Sequence, residues 1–166
     1  MALKFSRRRL LFGIAASLAF GTLYPARVGA VVSTDPLYLT AFDEAINRHA
    51  RIESDGTTYV STGDIPAMWL RDSAAVALPY IQSAGTDPAI ASLLRVVLAR
   101  QAKCILKDPY ANAFTAEYEV AEEKFEVDSL LYPVWFAALY YKQTADKSIF
   151  TGDLRHAFEL ILKTLR

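Results

Sequence analysis

With a single cysteine, Cys104, the chain can form no internal disulfide. Export does not require one, and Cys104 is expected to pack as a small buried hydrophobe. Histidine is nearly as scarce. His49 and His156 lie far apart, with no ligand at i+3 or i+4 spacing to complete a cluster, so neither a metal nor another cofactor is expected. No phosphate-binding loop, dinucleotide fingerprint or nucleophile–histidine arrangement occurs. The chain also lacks an apolar run of the roughly 20 residues that a membrane-crossing helix needs. The nearest is the uncharged stretch 10–23, which is too short.

Acidic side chains are absent from the first thirty residues, which carry five basic ones. Ser6-Arg7-Arg8-Arg9-Leu10-Leu11 matches the twin-arginine export pattern. The apolar stretch follows, then the small-residue site Val28-Gly29-Ala30. Residues 1–30 are therefore read as a cleaved signal peptide, with an uncleaved membrane anchor as the blander reading. The mature chain, 31–166, is expected in a bacterial periplasm or outside the cell. Without its first thirty residues the chain keeps 13 basic against 18 acidic side chains, a net charge of −5. That balance does not suit nucleic acid or an anionic membrane surface as partner. About 136 residues can bury one ordinary core, and their many tyrosines and phenylalanines fit either a large core or a carbohydrate cleft.

No repeat in residue identity is present. Apolar residues recur at helical spacing from Leu37 to Ile46, after the helix-start pair Asp35-Pro36. That stripe fades by Arg51. Ser54-Asp55-Gly56 predicts a turn, and Thr57 onward (TTYVS) a short strand. A further helix is expected to begin at Trp69 or Leu70 and run to Ile81. The clearest stripe is Ile90, Leu93, Leu94, Val97, Leu98, Gln101 and Ile105, bounded by Asp87-Pro88 and Lys107-Asp108-Pro109. Residues 110–126 have no helical period and predict a long functional loop with one β-arm. Asp128-Ser129 is expected to cap the next helix. Its residues 130–141, apolar nearly all round, predict burial between neighbours. Residues 151–153 cap a last helix, with Leu154, Phe158, Ile161, Leu162 and Leu165 inward. The whole predicts an all-α array of antiparallel hairpins with short β-arms at one rim.

Three polar clusters fall in the loops or at helix ends. The first, TGDIPAMWLRDS at residues 62–73, holds Asp64, Trp69, Arg71 and Asp72 among apolar or small residues. Arginine beside carboxylates and an indole can grip a sugar: charged groups fork onto vicinal hydroxyls while the aromatic face covers the ring's C–H face. The alternative is a helix-start network with Arg71 merely paired to an acid. The second, DPYANAF at 108–114, offers Tyr110 and Asn112 to a polar pocket, or is a proline-led turn in which Asn112 satisfies its own backbone. The third, KFEVDS at 124–129, offers Glu126 and Asp128, or else a helix cap and a helix-dipole stabiliser.

All three runs, in this order, resemble glycoside hydrolase family 125, the metal-independent exo-acting alpha-mannosidases, and the resemblance spans residues 35–166. It implies an (α/α)6 barrel, of which these residues would form a part. It also implies hydrolysis of terminal alpha-linked mannose, notably 1,6-linked, with inversion. By resemblance Arg71 and Asp72 form the terminal-sugar clamp, and Asp64, Trp69, Asn112, Glu126 and Asp128 shape or support the pocket. Two positions depart from the family pattern, the step Ala74-Ala75-Val76 and Leu131; neither touches a charged group.

Inverting hydrolysis needs two carboxyl groups roughly 6.5–9.5 Å apart, one a raised-pKa acid and one a base. In the family the acid lies in a later motif containing Gly-Phe-Arg-Pro-Ser-Asp-Asp, and the base further on. Neither motif occurs by Arg166, so both catalytic carboxyls are expected beyond it. Glu117, Glu119, Glu122 and Glu123 read as an acidic loop rather than a matched pair. A partial barrel is expected to expose much apolar surface, and so to be unstable alone, to dimerise, or to need a separately encoded C-terminal half. The competing readings are a non-catalytic or vestigial glycan-binding product and a different (α/α)6 enzyme.

Overall fold

A computed structural model of the chain describes residues 48–62 and 65–166. The export signal, the stripe 37–46 and Asp64 lie outside the described residues. Arg48 and His49 are helical, but the chain then enters a strand, β1 (Ala50–Ile52). It pairs antiparallel with β2 (Thr58–Val60), Arg51 opposite Tyr59, across the expected turn. Gly56 serves that turn with a φ of 78°, a conformation that costs glycine little.

The remaining elements follow in chain order: β3 (Met68–Trp69), α1 (Leu70–Ala77), α2 (Ile81–Ala84), α3 (Pro88–Lys107), β4 (Ala113–Phe114), β5 (Val120–Glu122), α4 (Val127–Thr144) and α5 (Gly152–Thr164). Short 3₁₀ turns, Leu78–Tyr80 and Lys147–Phe150, join α1 to α2 and α4 to α5. The fold is thus mostly helical with a few two- and three-residue strands. Strands β3, β4 and β5 form one antiparallel sheet in that order, with an irregularity at Ala113/Phe114. The single β-arm expected in residues 110–126 is this β4–β5 hairpin.

Helix α3 is the spine. Asp87 caps it, accepting hydrogen bonds from the backbone N–H groups of Ala89 (2.8 Å) and Ile90 (3.3 Å), with Pro88 in the first turn. Its stripe is buried as expected, Gln101 included, and it packs against α5, α4 and α1. Gln101 Nε2 donates to the Leu70 carbonyl (3.2 Å) and Ser73 Oγ (2.9 Å), tying the start of α1 to the spine. Helix α1 also packs on α4. The end of α2 closes on α4 at Gly85, where a Cβ would stand 2.8 Å from Gln143 Nε2 and 3.0 Å from its carbonyl oxygen. Cys104 is fully buried in this core, and desolvation pushes its thiol up to about 12, so it is inert as a nucleophile.

Two expectations fail on burial. Helix α4 is not enclosed all round: Leu131 and Trp135 are about half exposed and lie on one face with Val127. On α5, Leu162 faces outward, as does Leu165 just past its end, while Leu154 and Ile161 are buried and Phe158 packs on the core. The physical reason is shared, since each helix has apolar residues on two faces and the described residues cover one of them.

A second polar assembly braces the hairpins on α3. The fully buried Arg100 donates to Thr57 Oγ1 (3.1 Å) and to the carbonyls of Thr115 and Ala116. Its guanidinium lies 4.3 Å from the Tyr118 ring centroid and 5.0 Å from that of Tyr59. Asp55 accepts from Lys103 Nζ (2.8 Å), Tyr118 Oη (2.6 Å) and Thr57 Oγ1 (2.7 Å). Partial desolvation pushes the Asp55 carboxyl upward, but the bonds from Lys103, Tyr118 and Thr57 outweigh it and hold the group below the usual carboxylate range. A carboxyl depressed by folding contributes stability that is present above its unfolded value and is lost as pH falls through the folded one. The denaturant midpoint of the parent is therefore expected to exceed that of Asp55→Asn at neutral pH, with the gap closing below about pH 4. A gap that persists unchanged into acid would contradict this assignment.

Candidate functional site

The three polar clusters meet where β3 turns into α1 and the β4–β5 hairpin delivers the chain to α4. Trp69 is in extended conformation and Leu70 begins the helix, so Arg71 and Asp72 fall in its first turn. The sheet fixes the junction: Trp69 opposes Ala113, and the Leu70 N–H donates to the Asn112 carbonyl (3.0 Å). Asn112 N–H in turn donates to the Glu122 carbonyl (3.2 Å).

Arg71 is the centre. Its Nη1 donates to Asp128 Oδ2 (3.0 Å) and Glu126 Oε2 (3.4 Å), and its Nη2 to Asp72 Oδ2 (3.4 Å). The bond to Asp128 is the main cause of a guanidinium pKa raised above its ordinary value, with Asp72 and Glu126 adding to it. The group stays open to solvent: side-chain exposure is 36% for Arg71, 40% for Asp72 and 45% for Asp128, against 18% for Glu126. Glu126 also accepts from Lys124 Nζ through its other oxygen (2.6 Å) and from Asn112 Nδ2 (3.4 Å). Lys124 chiefly, with Asn112 and Arg71 adding, holds its carboxyl below the usual range against the cost of desolvation.

Asn112 is buried and bonds two carboxylates, Glu122 and Glu126, through its amide nitrogen. Those acceptors fix which way the amide points, since a reversed amide would set oxygen against oxygen. Its Oδ1 and the Ser129 Oγ are buried with no hydrogen-bond partner among the described residues. The structure thus corrects two local readings. Asn112 does not satisfy its own backbone; Asp108 does the turn's work by accepting from Tyr110 N–H (2.8 Å). Asp128-Ser129 does not cap α4 either. The cap position is Glu126, without a side-chain cap bond, because the carboxylates there are committed to Arg71, Asn112 and Lys124. Tyr110 stays at the surface, its ring 5.6 Å from that of Phe125.

Of the residues singled out from sequence, Trp69, Arg71, Asp72, Asn112, Glu126 and Asp128 are brought together. Asp64 lies outside the described residues. Glu122, read only as one acid of an acidic loop, belongs to the same assembly. Its Oε2 accepts from Trp69 Nε1 (3.0 Å) as well as Asn112. The signal that would have found it is strand register, Ala113 opposite Glu122, which spacing along the chain does not reveal.

Four carboxylates therefore face two cations, Arg71 and Lys124, at an open rim. Such an arrangement can take hydroxyl groups as donors to carboxylate and acceptors from guanidinium, and its negative balance favours a cationic reacting centre. Among the described residues no group of three or more histidine, cysteine or acidic side chains is placed to hold a metal, and no helix is long and apolar enough to cross a membrane.

The family model described as metal-independent alpha-mannosidase (GH125) matches residues 33–166. The meiotically up-regulated gene 157 protein of Schizosaccharomyces pombe is 35% identical over 145 residues, covering 74% of this chain and 28% of that protein. A solved Streptococcus pneumoniae structure superposes with a TM-score of 0.76 at 30% identity, over 97% of this chain and 40% of its own. It is described among metal-independent alpha mannosidases, in a non-productive substrate complex with alpha-1,6-mannobiose. This chain spans less than half the length of either relative.

Proposed function

The chain belongs to glycoside hydrolase family 125, the metal-independent alpha-mannosidases, and on that premise we propose that it carries the sugar-recognition part of an exo-acting, inverting alpha-mannosidase. Its substrate is a glycan ending in alpha-1,6-linked mannose, and the general acid and base are supplied outside these 166 residues. The observation that carries the proposal is Arg71, forked among Asp72, Glu126 and Asp128 while more than a third of it remains open to solvent. A planar fork among carboxylates, beside an indole, matches vicinal hydroxyls on a pyranose.

The state of Glu122 and Glu126 supports a general acid supplied elsewhere. A general acid must be protonated when it acts, so its pKa must be raised. Glu122 and Glu126 are held below the usual range, the first chiefly by Trp69 and the second chiefly by Lys124. Asp72 and Asp128 are spent on Arg71. In this reading the described helices are one part of an (α/α)6 barrel. The stripe Val127, Leu131 and Trp135 on α4, with Leu162 on α5 and Leu165 at its end, is the face its remainder would cover. Residues 1–30 act as a twin-arginine signal, so the protein works in the periplasm or outside the cell.

The test is mannose release from alpha-1,6-mannobiose without added metal. The full chain alone is expected to release none. Addition of a family-125 C-terminal half as a second polypeptide is expected to restore release, and to fail with Arg71→Ala. Release by the chain alone, above its Arg71→Ala control, would mean that both catalytic carboxyls lie within it.

A further inference from the structure

Glu122 is a surface carboxylate on a three-residue strand, yet its Oε2 takes two side-chain donors from other segments. These are Trp69 Nε1 at 3.0 Å, from β3, and the amide of Asn112, which immediately precedes β4. An indole N–H has only one hydrogen bond to give, and a carboxylate is its strongest neutral-pH acceptor, so this contact fixes the ring about both of its torsions. Across the sheet Trp69 opposes Ala113 and Ala113 opposes Glu122, so the bond spans the width of the sheet. Trp69 is only partly buried and sits on a two-residue strand, so the bond to Glu122 anchors the polar edge of its ring. Among the described residues Glu122 makes no bond to Arg71; its direct partners are the two neutral donors, with Lys124 acting on it at longer range.

We infer that Glu122 is a positioning residue for sugar recognition: by holding the Trp69 indole and the Asn112 amide on one oxygen, it sets the aromatic face against which a mannose ring stacks beside Arg71. This rests on the proposed mannoside reading. Its consequence is specific, because the loss of Glu122 should free the ring without loosening the core, Glu122 being exposed.

The chain has two tryptophans, and Trp135 is half exposed on α4, so Trp135→Phe leaves Trp69 as the sole emitter. In that background, the full chain is compared with Glu122→Ala and Glu122→Gln. The readouts are emission anisotropy and acrylamide quenching of Trp69, thermal melting, and titration with alpha-1,6-mannobiose. For Glu122→Ala, anisotropy is expected to fall and quenching to rise at an unchanged melting temperature, with the dissociation constant weakened about tenfold. Glu122→Gln keeps an acceptor oxygen and is expected to recover most of the anisotropy and affinity. Unchanged anisotropy in Glu122→Ala would overturn the assignment, as would a freed ring that binds the disaccharide as tightly as the parent. Failure of the parent to bind mannobiose at all would instead sink the mannoside reading and, with it, the recognition role, while the anisotropy would still decide whether Glu122 holds the ring.

Discussion

Replacing Arg71 by lysine is expected to weaken binding of alpha-1,6-mannobiose by about a hundredfold while leaving the fold's stability nearly intact. Lysine keeps the charge but offers a point donor in place of a planar fork. Two charge-assisted hydrogen bonds to sugar hydroxyls, at roughly 1.5 kcal/mol each, account for about that factor. Stability should shift by less than about 1 kcal/mol, because the ion pairs to Asp72 and Asp128 are solvent-exposed and screened. The split separates recognition from the blander alternative of a helix-start network. Were Arg71 only a structural tie, the lysine variant would melt earlier and its affinity would change no more than its folded fraction. A denaturant melt alongside a binding titration distinguishes the two.

Arg100→Ala is expected to be the most destabilising single change among the described residues, by about 4 kcal/mol. Thr57 Oγ1 keeps its bonds to Asp55 and Tyr118, and the Thr115 carbonyl keeps the Tyr118 N–H. The acceptor left unpaired is the Ala116 carbonyl, at about 1–2 kcal/mol, and emptying the fully buried side-chain volume adds about 2 kcal/mol. The substitution also removes the cation held against the Tyr59 and Tyr118 rings, worth about 1 kcal/mol. The loss reaches the site, because the turn that Arg100 holds closes the β4–β5 hairpin carrying Asn112 and Glu122. Sugar affinity should therefore fall even under conditions where Arg100→Ala remains folded. A urea midpoint equivalent to less than about 1 kcal/mol of change would show that the brace is dispensable.

What the sequence made legible follows from which interactions are local. The buried face of α3 could be read off because its stripe obeys the helical period and Asp87-Pro88 marks its start. The polar clusters could be read off because each is a contiguous run, and the family resemblance rested on those same runs. Arg100 was legible and overlooked: it shares a face with Leu93, Val97 and Cys104, so a cation inside an apolar stripe was already visible. Glu122 was not legible, since its role depends on which residue it faces across a two-step strand ladder. Asp128 misled for a related reason. An acid two residues into a helix looks like a cap until a guanidinium from a distant segment claims it. The exposed faces of α4 and α5 misled differently, because apolar composition reports that a surface is meant to be covered without saying by what.

Recognition of a mannoside by Arg71 and its carboxylates is the function on which the other roles depend. The most direct measurement is a calorimetric titration of the full chain with alpha-1,6-mannobiose, beside Arg71→Ala at the same melting temperature. The account predicts saturable binding by the parent and none measurable by the variant. Equal binding by both, or no binding by a folded parent, would contradict it.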